Sequence, residues 1–175
     1  MSNLNRYVDP SFVYNFAMGP DMIRTIDDAR QLGINCVSLA HLALKDLFEF
    51  DVPATLNCFE LFIDRQFFDE VESTDNLRAG DLVWFGHMKP RVPIDKFVPE
   101  YNGLGQLLNW PDCPVKHVGI ATGSEQRAEP AVLHSTHIEG TNVLWPLSAF
   151  AGYRRYQKVY GITRLKDTIT ERTVA

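Results

Sequence analysis

The hydrophobic pattern of this chain changes character at Leu77-Arg78-Ala79-Gly80-Asp81, and that change restricts the fold more than any other feature. Before it, apolar residues recur at helical spacing. Cys36, Ala40, Ala43 and Leu47 fall on one face with Leu39 and Leu42 beside them, so Val37 to Phe48 reads as a helix. Gly33 is a helix stop and Asn35 an N-cap for the helix that follows. Pro20 and Asp21 open an earlier helix, with Met22, Ile26 and Ala29 on one face, that ends at Gly33. Phe59, Phe62, Ile63 and Phe67 mark a short third helix. After the change come Leu82–Phe85, Val118–Ala121, Ala131–Leu133, Val143–Trp145 and Tyr156–Leu165, short apolar runs bounded by Gly, Pro and charge, hence strands. Helices followed by strands imply an α+β domain, with N-terminal helices packed on a C-terminal antiparallel β-sheet.

The remaining segments fit around this frame. Residues 1–18 carry Tyr7, Phe12, Tyr14 and Phe16 without a period and read as an arm packed on the domain. Asp69 to Asn76 reads as a solvated acidic connection. Residues 86–115 hold Pro90, Pro93, Pro99, Pro111 and Pro114 with Tyr101 and Trp110, and form a long loop of the kind that serves as a lid or binding loop. A chain of 175 residues is expected to be one domain, residues 1–175. Its net charge of −5 argues against nucleic acid and anionic membranes as partners. Three cysteines without a CxxC spacing argue against a disulfide framework. With no apolar leader and no run of about 18 apolar residues, the expectation is a reduced, cytoplasmic protein without a membrane span.

Chemistry is expected at Cys36. A thiol in the first helical turn faces unpaired N–H groups and the positive end of the helix dipole, which lower its pKa from about 8.5 and favour the thiolate. The same N–H groups can hold an oxyanion. The competing reading is a small buried core thiol. A thiol nucleophile needs a base, and the base an orienting group. His41 is turned away from Cys36 on the helical wheel and reads as structural or exposed. His117 begins one strand and His134 ends the next run, so adjacent antiparallel strands place them side by side. Cys36, His117 and His134 thus form a candidate triad. Cys113, His117, His134 and His137 are an alternative, loosely spaced zinc set.

The ordered set Gly33-Ile34-Asn35-Cys36, Leu77 to Phe85, His117 to Gly123, Val132 to Thr136 and the closing run Tyr153 to Leu165 resembles the NlpC-type cell-wall cysteine peptidases. The resemblance implies a papain-like fold with Cys36 as nucleophile, His117 as base and His134 orienting His117. It also implies an oxyanion hole that includes the Cys36 N–H, with no metal or organic cofactor. The implied reaction is amide hydrolysis in small peptides through an acyl-thioester, on γ-D-glutamyl stem peptides or cell-wall fragments. Departures are Asn35-Cys36-Val37-Ser38 in place of Asp-Cys-Ser-Gly, and Arg24 near the place of an upstream tyrosine, for which Tyr14 is a substitute from the arm. The loop before His117 is also long for that family. The Asn-Cys pair is similar as well to lecithin-retinol-acyltransferase-like proteins, where the histidine precedes the cysteine; here the order is reversed. The alternative function is a catalytically silent binding or interaction module of the same fold.

Overall fold

The computed structural model describes residues 3–103, 106–123 and 129–169. Three helices come first: α1 (Ile26–Leu32), α2 (Cys36–Phe48) and α3 (Cys58–Ile63). Six strands follow: β1 (Phe68–Glu70), β2 (Leu82–Gly86), β3 (Val115–Ala121), β4 (Ala131–Thr136), β5 (Thr141–Pro146) and β6 (Lys158–Leu165). They form one sheet in the order β1-β6-β2-β3-β4-β5, and each pairing is antiparallel. The α+β expectation holds.

Local chemistry explains where the elements start. α1 begins at Ile26, later than the Pro20-Asp21 start read from the sequence. Thr25 accepts from the Asp28 N–H while the Asp28 carboxylate accepts from the Thr25 N–H, a reciprocal cap stronger than the isolated proline signal. α2 begins at Cys36 because the Asn35 side chain accepts from the N–H groups of Val37 and Ser38. α3 stops at Ile63, so Phe67 lies outside it. The next residues form the edge strand β1, where the sequence reading had a solvated loop; one buried residue, Phe68, ahead of two acidic ones is too short an alternation to read.

β2, β3 and β4 are buried along their whole length, because both faces of the sheet are covered. Leu82, Trp84, Val118, Ile120 and Leu133 join the helices in one core. Val83, Phe85, Ala121, Val132 and Ile162 meet Leu77, Phe150 and Tyr156 in the other. Gly119 permits the close approach of β3 and β4: a Cβ there would lie 2.3 Å from Val132 Cγ1. The Gly80-Asp81 turn is fixed by charge. Asp81 is buried, accepts from Arg164 Nε and Nη2 at 2.7 and 2.8 Å, and also accepts from the Arg78 N–H. This ties the turn before β2 to the last strand.

The arm packs on the domain. Leu4, Tyr7 and Phe12 are buried, and Asn142 Nδ2 donates to Tyr7 O. At Gly33, with φ +87°, the chain passes Asn15 and Val13 so closely that a Cβ would meet both below 3.0 Å. There Ile34 N–H donates to Val13 O and Asn15 N–H to Ile34 O. The segment entering α2 is thereby held from the arm side.

Candidate active site

Cys36 is clamped by the backbone on either side of it. Ser135 of β4 donates to Ile34 O at 3.0 Å, Ser38 Oγ donates to Met18 O at 2.7 Å, and Asn35 Nδ2 donates to Phe16 O. The helix start therefore cannot shift without disturbing both the sheet and the arm. Cys36 opens on a cavity of about 380 Å³. Its other walls include Tyr14 and Phe16 from the arm, His117 from β3, Trp110 from the long loop, and Arg155 and Tyr156 from the segment before β6.

His117 and His134 are buried and joined through His117 Nε2 and His134 Nδ1 at 2.9 Å. Period-2 alternation explains the pairing: His117 shares the parity of Ala121 and His134 that of Val132, both on the second core. Their ring planes stand at 83° with centroids 5.0 Å apart. Tyr156 stacks on His117 at 4.4 Å. With Nε2 engaged, Nδ1 is the His117 nitrogen left for the cavity. Among the described residues no hydrogen bond joins the Cys36 thiol to His117 in this resting arrangement.

The electrostatics reverse one expectation. Burial pushes the Cys36 thiol up from its ordinary value, outweighing the N–H groups of Val118, Cys36 and Val37 and the Arg155 guanidinium, all of which pull it down. Protein atoms surround the sulfur although part of the residue faces the cavity. The helix-start effect read from the sequence is present but smaller than desolvation, and Asn35 already occupies the N–H groups of Val37 and Ser38. His117 is pushed well below the usual histidine range by burial first, then by His134, Arg155 and His137. Burial lowers His134 to about 3. The resting pair is a neutral thiol and a neutral imidazole.

The other sequence candidates resolve differently. His41 is structural and buried, its Nε2–H donating to Leu56 O at 2.9 Å, with a pKa lowered by burial to about 4. His87 meets the Arg154 carbonyl. Cys113 donates its thiol hydrogen to Val115 O, and Cys58 is buried with its thiol pushed well above the ordinary range by desolvation. The alternative zinc set is not assembled: among the described residues no group of three or more His, Cys, Asp or Glu is placed to hold a metal. Tyr14 does reach the cavity from the arm, through a parallel bridge to Ile34.

Sequence reasoning did not anticipate Arg155, Tyr156 and Lys116. Arg155 makes no ion pair among the described residues and shares the cavity wall with Cys36 and His117. Lys116 donates to the Trp110 carbonyl and lies over the Trp110 ring at 4.9 Å. Among the described residues no Asp or Glu lines the cavity. The one available signal was the Arg154-Arg155 pair between Tyr153 and Tyr156, which has no period to mark it. No family model, curated protein or solved structure matches the chain. Among the described residues no helix is long and apolar enough to cross a membrane.

Proposed function

We propose that this chain is a cysteine hydrolase of papain-like architecture that cleaves amide bonds in small peptides. The observation that carries the reading is the opening of Cys36, at the start of α2, onto the same cavity as His117, which is hydrogen-bonded to the buried His134 behind it. The sequence resemblance to NlpC-type peptidases points the same way, and with it to γ-D-glutamyl stem peptides as substrates. Arg155 and Lys116 in the cavity wall, which has no carboxylate among the described residues, favour a substrate that carries carboxylates.

The chemistry follows from a neutral pair. As the Cys36 sulfur attacks the substrate carbonyl, its proton passes to His117 Nδ1, so charge develops only in the transition state. The carbonyl oxygen becomes an oxyanion that the Cys36 N–H can meet, since Asn35 occupies the next two N–H groups. Collapse of the tetrahedral intermediate breaks the C–N bond, and the imidazolium returns its proton to the leaving amine. Water then attacks the thioester with His117 as base, releasing the acid and restoring the thiol. His134, hydrogen-bonded to His117 Nε2, holds the ring in place.

The raised thiol pKa favours a second reading, a silent binding module of the same fold. Incubation with a γ-D-glutamyl peptide, with release of new amino groups as the readout, separates the two. Cys36→Ser and His117→Ala are expected to abolish turnover, and His134→Ala to reduce it less. Cleavage that survives Cys36→Ser, or binding of the peptide by the native protein without cleavage, would overturn the catalytic assignment.

A further inference from the structure

Two neutral imidazoles joined by one hydrogen bond have two ways to place their protons, and only one of them serves a base. If His117 Nε2–H donates to His134 Nδ1, then His134 carries its proton on Nε2 and His117 Nδ1 keeps a lone pair for the thiol. If His134 Nδ1–H donates instead, His117 must carry its own proton on Nδ1, and the nitrogen left for the cavity can accept nothing. The 2.9 Å separation fits both. Nothing in the pair itself chooses between them.

The choice lies on the far side of His134. Its Nε2 is fully buried and has no hydrogen-bond partner among the described residues. Its nearest rings besides His117 are Trp145, at 4.5 Å and 69°, and Phe150, at 4.7 Å and 48°. Among aromatic rings a buried nitrogen lone pair gains no donor, whereas an N–H can still find a weak acceptor in a ring's π system. Trp145 is itself held by stacking on Tyr153 at 4.4 Å, and Phe150 by stacking on Phe85 at 4.0 Å. The placement of both rings beside the His134 ring is therefore set by packing.

We propose that Trp145 and Phe150 are positioning residues that keep the His134 proton on Nε2, and thereby keep His117 Nδ1 free to take the proton of Cys36. This rests on the reading of Cys36 and His117 as the reacting pair. Neither aromatic residue lines the cavity, so they act through His134 and not on substrate. The role assigned to them is a bias between two tautomers, which a purely structural role would not alter.

The test is nitrogen-detected NMR of the native protein labelled with ¹⁵N-histidine at neutral pH, where each ring nitrogen reports whether it carries hydrogen. The expected pattern is hydrogen on Nε2 of both His117 and His134 and none on either Nδ1. Hydrogen on His134 Nδ1 in the native protein overturns the proposal. Replacing both rings together, Trp145→Leu with Phe150→Leu, is expected to bring a His117 Nδ1–H population and to slow Cys36 alkylation on the order of tenfold. Trp145→Phe keeps an aromatic face and is expected to keep the native pattern. Where the double variant fails to fold, the native spectrum and Trp145→Phe still decide the matter. A native protein that shows the expected tautomer but cuts no peptide would overturn the function proposed above and leave this inference standing. In an active enzyme, the double variant is expected to lower kcat with KM unchanged.

Discussion

At the scale of single residues, Cys36 sits between opposed influences. The N–H groups of Val118, Cys36 and Val37 and the Arg155 charge favour a thiolate, and burial opposes it more strongly. His117 does not reverse the balance, because burial holds it neutral too. Iodoacetamide labelling of the native protein across pH 5 to 10 should therefore show Cys36 reacting at an apparent pKa at or above that of an ordinary thiol, about 8.5. A plateau of reactivity already reached at pH 6 would mean a preformed thiolate–imidazolium pair and would contradict the neutral resting state. Cys58, more deeply enclosed and also raised by burial, should label more slowly than Cys36 at every pH. The sequence made Cys36 visible because Asn35 and helical spacing announce a helix start. It could not show the desolvation, which comes from β3 and the arm closing over the sulfur.

At the scale of elements, what was legible is what neighbours in sequence dictate. The Asn35 cap, the span of α2 and the strand runs of β2 to β6 all follow from residues within a few positions of each other. What was not legible depends on distant partners. The Thr25–Asp28 cap displaced the start of α1, and β1 exists only because β6 offers it an edge. The 86–115 loop read as irregular, yet much of it is docked: Phe97 is buried edge-on against Phe59 at 4.9 Å, and Trp110 lines the cavity. Between these two anchors Tyr101 pairs with Leu107 and Leu108 N–H donates to Glu100 O, and Leu107 packs against the main core. Gln106 and Leu107 from this segment reach the cavity wall. Replacing residues 100–108 by a short Gly-Ser linker keeps the Phe97 and Trp110 anchors but removes the Leu107 packing, so a modest loss of stability is expected, and under the proposed function the range of peptides cleaved should broaden. An unchanged substrate profile in a folded variant would remove the segment from specificity.

At the scale of the whole molecule, the histidines that are buried and neutral make the fold sensitive to mild acid. His41 ties α2 to Leu56 with its pKa lowered to about 4, His134 lies inside the second core with its pKa lowered to about 3, and His117 is lowered as well. In the unfolded chain each takes a proton near pH 6.5, so between that value and the folded-state value the unfolded state binds more protons. Their stabilisation is complete above about pH 6.5 and is lost as the pH falls toward the folded-state values. For His41 the loss approaches about 3 kcal/mol by pH 4, because each pH unit crossed in that window removes roughly 1.36 kcal/mol. The carboxylates lowered by hydrogen bonds, Asp9 and Asp28, act in a more acidic window, below the ordinary carboxylate value of 3.8. A decline between pH 6.5 and 5 therefore belongs to the histidines. Urea unfolding midpoints should fall steadily across that interval. The slope should be shallower in His41→Gln, whose amide can still donate to the Leu56 carbonyl but cannot take a proton. A native protein equally stable at pH 7 and pH 5 would mean that these rings accept protons without unfolding. The neutral pairing of His117 with His134, on which a base at Nδ1 depends, would then fail with them.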